Sequence, residues 1–124
     1  MKTLATQRSL AFLRKNGWQC AIVEKWQMRP QAKFGVRIDV WGFGDILACR
    51  RTGDAVEGHV SDIALVQTFP LSGWKDHWDK LIEMPELKFW QECGGLVFMH
   101  GWAFKPKDGV RGAKKVWTLR EEVL

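Results

Sequence analysis

Apolar positions recur along the chain with two different periods. Near the N-terminus the spacing is helical. Leu10 and Leu13, with Leu4 or Ala5 a turn and more earlier, make a short stripe that leaves Arg8, Arg14 and Lys15 outside it. The pattern predicts a helix from about Thr3 or Thr6 to Asn16. A threonine caps its start, and Asn16-Gly17 stops it because glycine takes the left-handed conformation. The period then drops to two. Trp18 to Gln27 alternates, with Cys20, Ile22 and Glu24 on one face and Ala21 and Val23 on the other, which predicts a strand. Met28 to Phe34, with Pro30 and two basic residues, reads as a loop.

Val36 to Arg50 predicts a strand broken near Gly42 and Gly44, and Ile63 to Phe69 predicts another. The intervening TGDAVEGHVSD keeps no period, so the pair forms a hairpin with a long turn. A helical stretch follows from about Trp74 to Trp90. Pro85 breaks it near Met84 or divides it into two helices, and Gly94-Gly95 ends it. Leu96 to Phe104 and Val116 to Val123 are strands joined by a turn with Asp108-Gly109 at its apex. The order is α-β-β-β-α-β-β, an α/β chain with a central mixed sheet flanked by helices.

The length of 124 residues suits one domain, and 46% hydrophobic residues with eight Trp and seven Phe suffice for a core. No apolar run approaches the roughly 20 residues of a membrane span. Arg8, Arg14 and Lys15 interrupt the apolar N-terminus, which speaks against a secretory leader and makes the cytoplasm the expected compartment. Cys20, Cys49 and Cys93 are widely spaced, odd in number and without a CxxC pair. They are expected to be reduced, buried thiols, with no zinc-type spacing to His59, His77 or His100.

The net charge of +5 is unevenly placed. Residues 1–37 hold eight basic groups against one acid, residues 38–95 five against ten, and residues 96–124 six against three. Basic ends attract polyanions, nucleic acid first among them.

The hairpin carries the candidate chemistry. With its turn centred near position 56, paired residues sum to about 112. Asp45 then faces Gln67, Leu47 faces Leu65 and Cys49 faces Ile63, while Ile46, Ala48, Ala64 and Val66 point to the other side. Both faces near the turn are apolar, so the hairpin is expected to be covered on both. A carboxylate at the edge of such a core needs a partner or a cation, and the Gln67 carbonyl oxygen can help hold a hard metal. The alternative is that Asp45 bonds the backbone of the Gly42–Gly44 bend.

The stretch RIDVWGFGDILACR, then ALVQT, then a helix with Lys80, then LVFMHGW, resembles the PD-(D/E)XK nuclease superfamily. It is most similar to small phage and bacterial proteins of the Holliday-junction-resolvase or VRR-nuclease type, over Thr6 to Val123. The resemblance implies a restriction-endonuclease-like core over residues 1–124 and Mg²⁺ (or Mn²⁺) held by Asp45 and Gln67. It also implies hydrolysis of DNA phosphodiesters, in duplex or branched DNA, and a possible homodimer. Two positions depart from the family pattern: Gln67 replaces a carboxylate, and Phe69 stands where a lysine is expected. The helix-borne acid of some members falls near Gln7. Lys75 or Lys80 is then the candidate for the missing cation, with Lys80 set beside Asp45 and Gln67 as catalytic.

Other residues have simpler expectations. Arg37 and Asp39 share a face and are read as a pair, the alternative being a second carboxylate near the metal. His100 is read as a hydrogen-bonded core residue, and Trp74 and Trp78 as core. Trp102, Lys105, Lys107, Arg111, Lys114 and Lys115 mark a basic hairpin suited to phosphate contacts. Two functional classes stand beside the nuclease. One is a phage-type module of the same fold, without catalysis, that binds DNA or acts as a protein inhibitor or adaptor. The other is an interaction protein whose acidic segment (Asp76, Asp79, Glu83, Glu86 and Glu92) meets a basic partner.

Overall fold

The computed structural model describes residues 4–28, 35–51 and 61–124. Helix α1 spans Leu4–Lys15 and buries Thr6, Ser9, Leu10 and Leu13, one face at three- and four-residue spacing. Two of these are hydroxyl residues. The helix ends as expected: Gly17 has φ +88°, and the Trp18 N–H closes back on the Leu13 carbonyl at 3.0 Å.

The expected strand Trp18–Gln27 is in fact two strands in two sheets. β1 (Gln19–Ile22) ends where the Val23 and Glu24 N–H groups both turn to the Asp45 carbonyl, at 3.0 and 3.4 Å. β2 (Lys25–Met28) pairs instead with β3 (Gly35–Ile38) in a separate antiparallel ribbon. Met28, read as loop, therefore belongs to a strand; the rest of that loop and residues 52–60 lie outside the described residues.

After β3 the chain folds back tightly. Val40 and Gly44 exchange backbone hydrogen bonds at 2.9 Å, and the Phe43 N–H reaches the Val40 carbonyl at 3.1 Å. The central residues Trp41 and Gly42 have φ +53° and +80°, both positive as in a type I′ turn. Tryptophan in that conformation costs about 1–2 kcal/mol. A Cβ on Gly44 would sit 3.0 Å from Leu65 and 3.2 Å from Val40, so any side chain there would make its neighbours give way by a few tenths of an ångström.

β4 (Ile46–Arg51) and β5 (Ser61–Pro70) pair antiparallel from Ile46↔Val66 to Arg51↔Ser61, the expected register. β5 then runs parallel to β6 (Leu96–Pro106), and the crossover is α2 (Trp74–Leu81) followed by α3 (Pro85–Glu92). Met84 is extended and Pro85 opens α3, where its missing N–H costs nothing. β7 (Lys115–Val123) returns antiparallel to β6 around Asp108 and Gly109, both with positive φ.

The main sheet has the order β1-β4-β5-β6-β7 and is mixed. Its α1 face packs Leu10, Leu13, Trp18, Ile46, Val66 and Phe98; its other face packs Phe43, Leu65, Phe69, Leu81, Leu87 and Met99 beneath α2 and α3. The fold is therefore α/β, with helices on both faces. Coverage stops short of the hairpin turn: Leu47 and Ile63 are 38% and 48% exposed. The expectation of two covered faces there is corrected, because the crossover helices pack over Leu65 and Phe69 at the other end of β5. The thiols are also less sheltered than expected. All three are free, but Cys49 and Cys93 are exposed and Cys20 is half-buried. No helix among the described residues is long and apolar enough to cross a membrane.

Candidate metal centre and nucleic-acid interface

Asp45 stands just before β4, and its N–H bonds the Val66 carbonyl at 2.9 Å. This anchors the residue at the end of β5 where the side chains become polar. Its carboxyl is fully buried. Oδ2 accepts three hydrogen bonds: from the Thr68 N–H at 2.7 Å, Gln67 Nε2 at 3.1 Å and Thr68 Oγ1 at 3.2 Å. The expected meeting of Asp45 and Gln67 is present. The carboxyl bonds β5 rather than the Gly42–Gly44 backbone, which removes the simple bend-capping alternative.

Two acceptors of this cluster stand apart. Asp45 Oδ1 and Gln67 Oε1 are buried, and among the described residues no N–H or hydroxyl group donates to either. One oxygen each of Glu24, Asp39 and Asp45 lies within 4.8 Å of the other two. Burial pushes the Asp45 carboxyl from the ordinary 3.8 up to about 9. A hydrogen bond with the Asp39 carboxyl adds to the rise, as do the Asp39 and Glu24 charges, and only the Thr68 N–H opposes it. Acceptors crowded this way need a proton or a cation among them.

Two of the three acids were not assigned to a site from sequence. Glu24 read as a strand residue, and Asp39 as the partner of Arg37, whose side chain lies outside the described residues. The signal was present in the spacing D-V-W-G-F-G-D. The Val40↔Gly44 bridge sets the sum at 84, which places Asp39 opposite Asp45. Glu24 arrives because the chain leaves the main sheet right after β1. The helix also differs from expectation by one residue. Gln7 is exposed, and the buried Thr6 faces the cluster, its hydroxyl 2.9 Å from Thr68 Oγ1 and 3.4 Å from Glu24 Oε1.

The candidate cations have partners of their own. Lys80 Nζ donates to the Gly42 carbonyl at 2.8 Å, so it holds the bend that carries the acids. Lys75 pairs with Asp79 at 2.7 Å on the exposed side of α2. Phe69 is buried, stacked on His77 with ring centres 4.2 Å apart, and packs against Trp74.

No protein-family model, curated protein or solved structure matches the chain.

Away from the acids, Lys105, Lys107, Arg111, Lys114 and Lys115 are all exposed around the β6–β7 turn. Trp102 does not belong with them. It points inward, and its Nε1 donates to Ser9 Oγ at 2.8 Å. His100 is a satisfied core residue as expected, with Nδ1 on Ser9 Oγ and Nε2 on Glu121 Oε2, both at 2.8 Å. Asp76, Asp79, Glu83, Glu86 and Glu92 are exposed on or beside α2 and α3.

Proposed function

We propose that this is a nuclease-fold protein that holds a divalent cation at Glu24, Asp39, Asp45 and Gln67 and engages nucleic acid there. Its reaction is Mg²⁺- or Mn²⁺-dependent hydrolysis of phosphodiesters. One observation carries this reading: the buried acceptors Asp45 Oδ1 and Gln67 Oε1 beside two further carboxyls. Leaving such groups without donors is costly, and a hard cation removes the cost. An all-oxygen donor set suits Mg²⁺ or Mn²⁺ over softer metals. When bound, such an ion polarises a phosphoryl oxygen and lowers the pKa of its water.

The protein's own groups fit around that ion. Thr68 fixes Asp45 through two hydrogen bonds, and Lys80 steadies the Asp39–Asp45 turn through Gly42. Glu24 and Asp39 are half-buried beside the fully buried Asp45. The site is built on the central strand β5, at Gln67 and Thr68. Set the β2/β3 ribbon aside and join α2 with α3, and the order becomes α-β-β-β-α-β-β, which supports the restriction-endonuclease-like reading. The basic β6–β7 turn offers phosphate contacts through Lys105, Lys107, Arg111, Lys114 and Lys115.

The test is incubation with labelled linear, single-stranded and branched DNA, in Mg²⁺ or Mn²⁺ against EDTA, with Asp45→Ala alongside. Cleavage that requires the metal and falls at least about 100-fold in the variant is expected. Failure of the wild type to bind Mg²⁺ or Mn²⁺ in calorimetric titration sinks the metal reading.

A second reading has its own support. The buried Phe69 occupies the lysine position of the family pattern, and Lys80 is spent on a carbonyl. A phage-type module that keeps the fold and the DNA or protein contacts without cleavage would look like this. Metal binding and salt-sensitive DNA binding without cleavage would select it.

A further inference from the structure

Beside the acids lies a groove of about 440 Å³ that the cation site does not account for. Its lining includes Arg8, Thr68, Phe69, His77, Trp102 and Trp117. Thr68 belongs to both places, since its N–H and hydroxyl hold Asp45. Two features of the groove point to one ligand chemistry. Beside the aliphatic Leu4, Ala5 and Pro70 its walls hold four aromatic rings: His77 stacked on the buried Phe69, Trp102, and a Trp117 that is 48% exposed. It also carries one cation. The Arg8 guanidinium lies 3.4 Å from the centre of the Trp117 ring, and among the described residues no carboxylate pairs with it.

A stacked guanidinium is held in place while its N–H groups remain available to a phosphate. Trp117 also borders the hollow formed by Lys105, Pro106 and Lys107. The lining therefore continues from the Asp45 cluster, through aromatic walls, onto the basic turn.

We propose that this groove seats an unpaired nucleotide, so that the nucleic acid engaged next to the cation site is single-stranded there. The base lies against the aromatic walls, and Arg8 takes an adjoining phosphate. The volume falls within the range of small-ligand pockets, large enough for one nucleotide. A duplex offers only base edges and phosphates to such a groove. An unpaired base offers a π-face, whatever its identity. The proposal rests on the nucleic-acid reading above and names the form of the substrate.

The experiment is fluorescence anisotropy of a labelled thymidine homopolymer and of a duplex of equal length, in EDTA so that the cation site takes no part. Wild type, Trp117→Ala, Trp117→Phe, Arg8→Ala and Phe89→Ala are compared; Phe89 is an exposed aromatic outside the groove. The single strand is expected to bind at least about tenfold more tightly than the duplex. Trp117→Ala weakens it about 5- to 150-fold, the loss of one stacked base, while Trp117→Phe retains most of the affinity. Arg8→Ala lowers the slope of log K against log salt by about 0.7, one phosphate contact on a single strand. Phe89→Ala changes nothing.

Equal affinity for duplex and single strand, or a silent Trp117→Ala, overturns the groove proposal and leaves the nucleic-acid reading standing. Absence of binding to either oligonucleotide, with Mg²⁺ binding intact, overturns both and leaves the cation site.

Discussion

Two polar clusters are buried against the same sheet, and they are built on opposite terms. In the first, His100 is enclosed between α1 and β7. Its two ring nitrogens meet Ser9 and Glu121, Trp102 donates to the same serine, and Glu121 reaches toward solvent with its charge. Each of the His100 and Trp102 ring nitrogens has a partner. In the second, Asp45 is equally buried, yet three hydrogen bonds converge on one of its oxygens, while among the described residues no N–H or hydroxyl group donates to the other or to Gln67 Oε1. A closed network fixes the packing of a core. An open one retains a desolvation cost of about 1–3 kcal/mol for a group such as Gln67 Oε1 and keeps Asp45 protonated until a cation enters. The first cluster is architecture; the second has the character of a site.

The sharpest way to break the comparison is pH. The Asp45 carboxyl sits at about 9 when folded, against 3.8 ordinarily, for want of solvent and because Asp39 and Glu24 face it. Between about pH 4 and about pH 9 the folded protein therefore holds a proton that the unfolded chain has released. Stability of the metal-free protein falls as pH rises through that window, by up to about 1.4 kcal/mol per pH unit, and levels off above it. Saturating Mg²⁺ displaces the proton and flattens the slope. Asp45→Asn removes both the slope and the Mg²⁺ effect, because an amide keeps the shape without the charge. Urea midpoints across this range, with and without Mg²⁺, provide the check. A wild-type slope no steeper than that of Asp45→Asn would show that the acids are not crowded as described.

The closed cluster should respond in the opposite manner. His100→Leu leaves Ser9 and Glu121 each short of a partner and costs about 2–4 kcal/mol of stability. The Mg²⁺-induced rise in melting temperature persists, since His100 contributes nothing to the acid cluster. Loss of that rise in a folded His100→Leu protein would mean that the two clusters are coupled.

His100, at the centre of the closed cluster, and most of the fold were legible in the chain, whereas Trp102 reads there as part of the basic hairpin. The sum of 112 along the hairpin placed Asp45 beside Gln67, Pro85 divided the crossover, and a lone histidine in an apolar strand was read correctly as core. What escaped was local departure from period. Val23 and Glu24 continue the alternation of β1, so nothing in the pattern marks the chain leaving one sheet for another. Trp41 in the left-handed region has no sequence signal, because only its glycine neighbour suggests such a turn. The offset from Gln7 to Thr6 is a rotation of one helical position, about 100°, enough to exchange a solvent residue for a site residue. These three misses each displaced one member of the open cluster; the misplaced Trp102 alone belonged to the closed one.

The smallest and most discriminating change is Gln67→Glu. Gln67 now gives an N–H to Asp45 and leaves its carbonyl oxygen unpartnered. Glutamate exchanges that donor for a further acceptor, so the metal-free protein loses stability and the Asp45 proton is held more firmly. With a cation present the sign reverses. One more negative oxygen near the ion should tighten Mg²⁺ by about tenfold, equivalent to about 1.4 kcal/mol. Calorimetric titration of Mg²⁺ into both proteins measures the gain, and thermal unfolding in EDTA measures the loss. Opposite signs in the two measurements are what a cation site requires of position 67. A variant less stable in EDTA with no gain in Mg²⁺ affinity would place Gln67 beside the site as packing, and would leave Glu24, Asp39 and Asp45 to hold the ion alone.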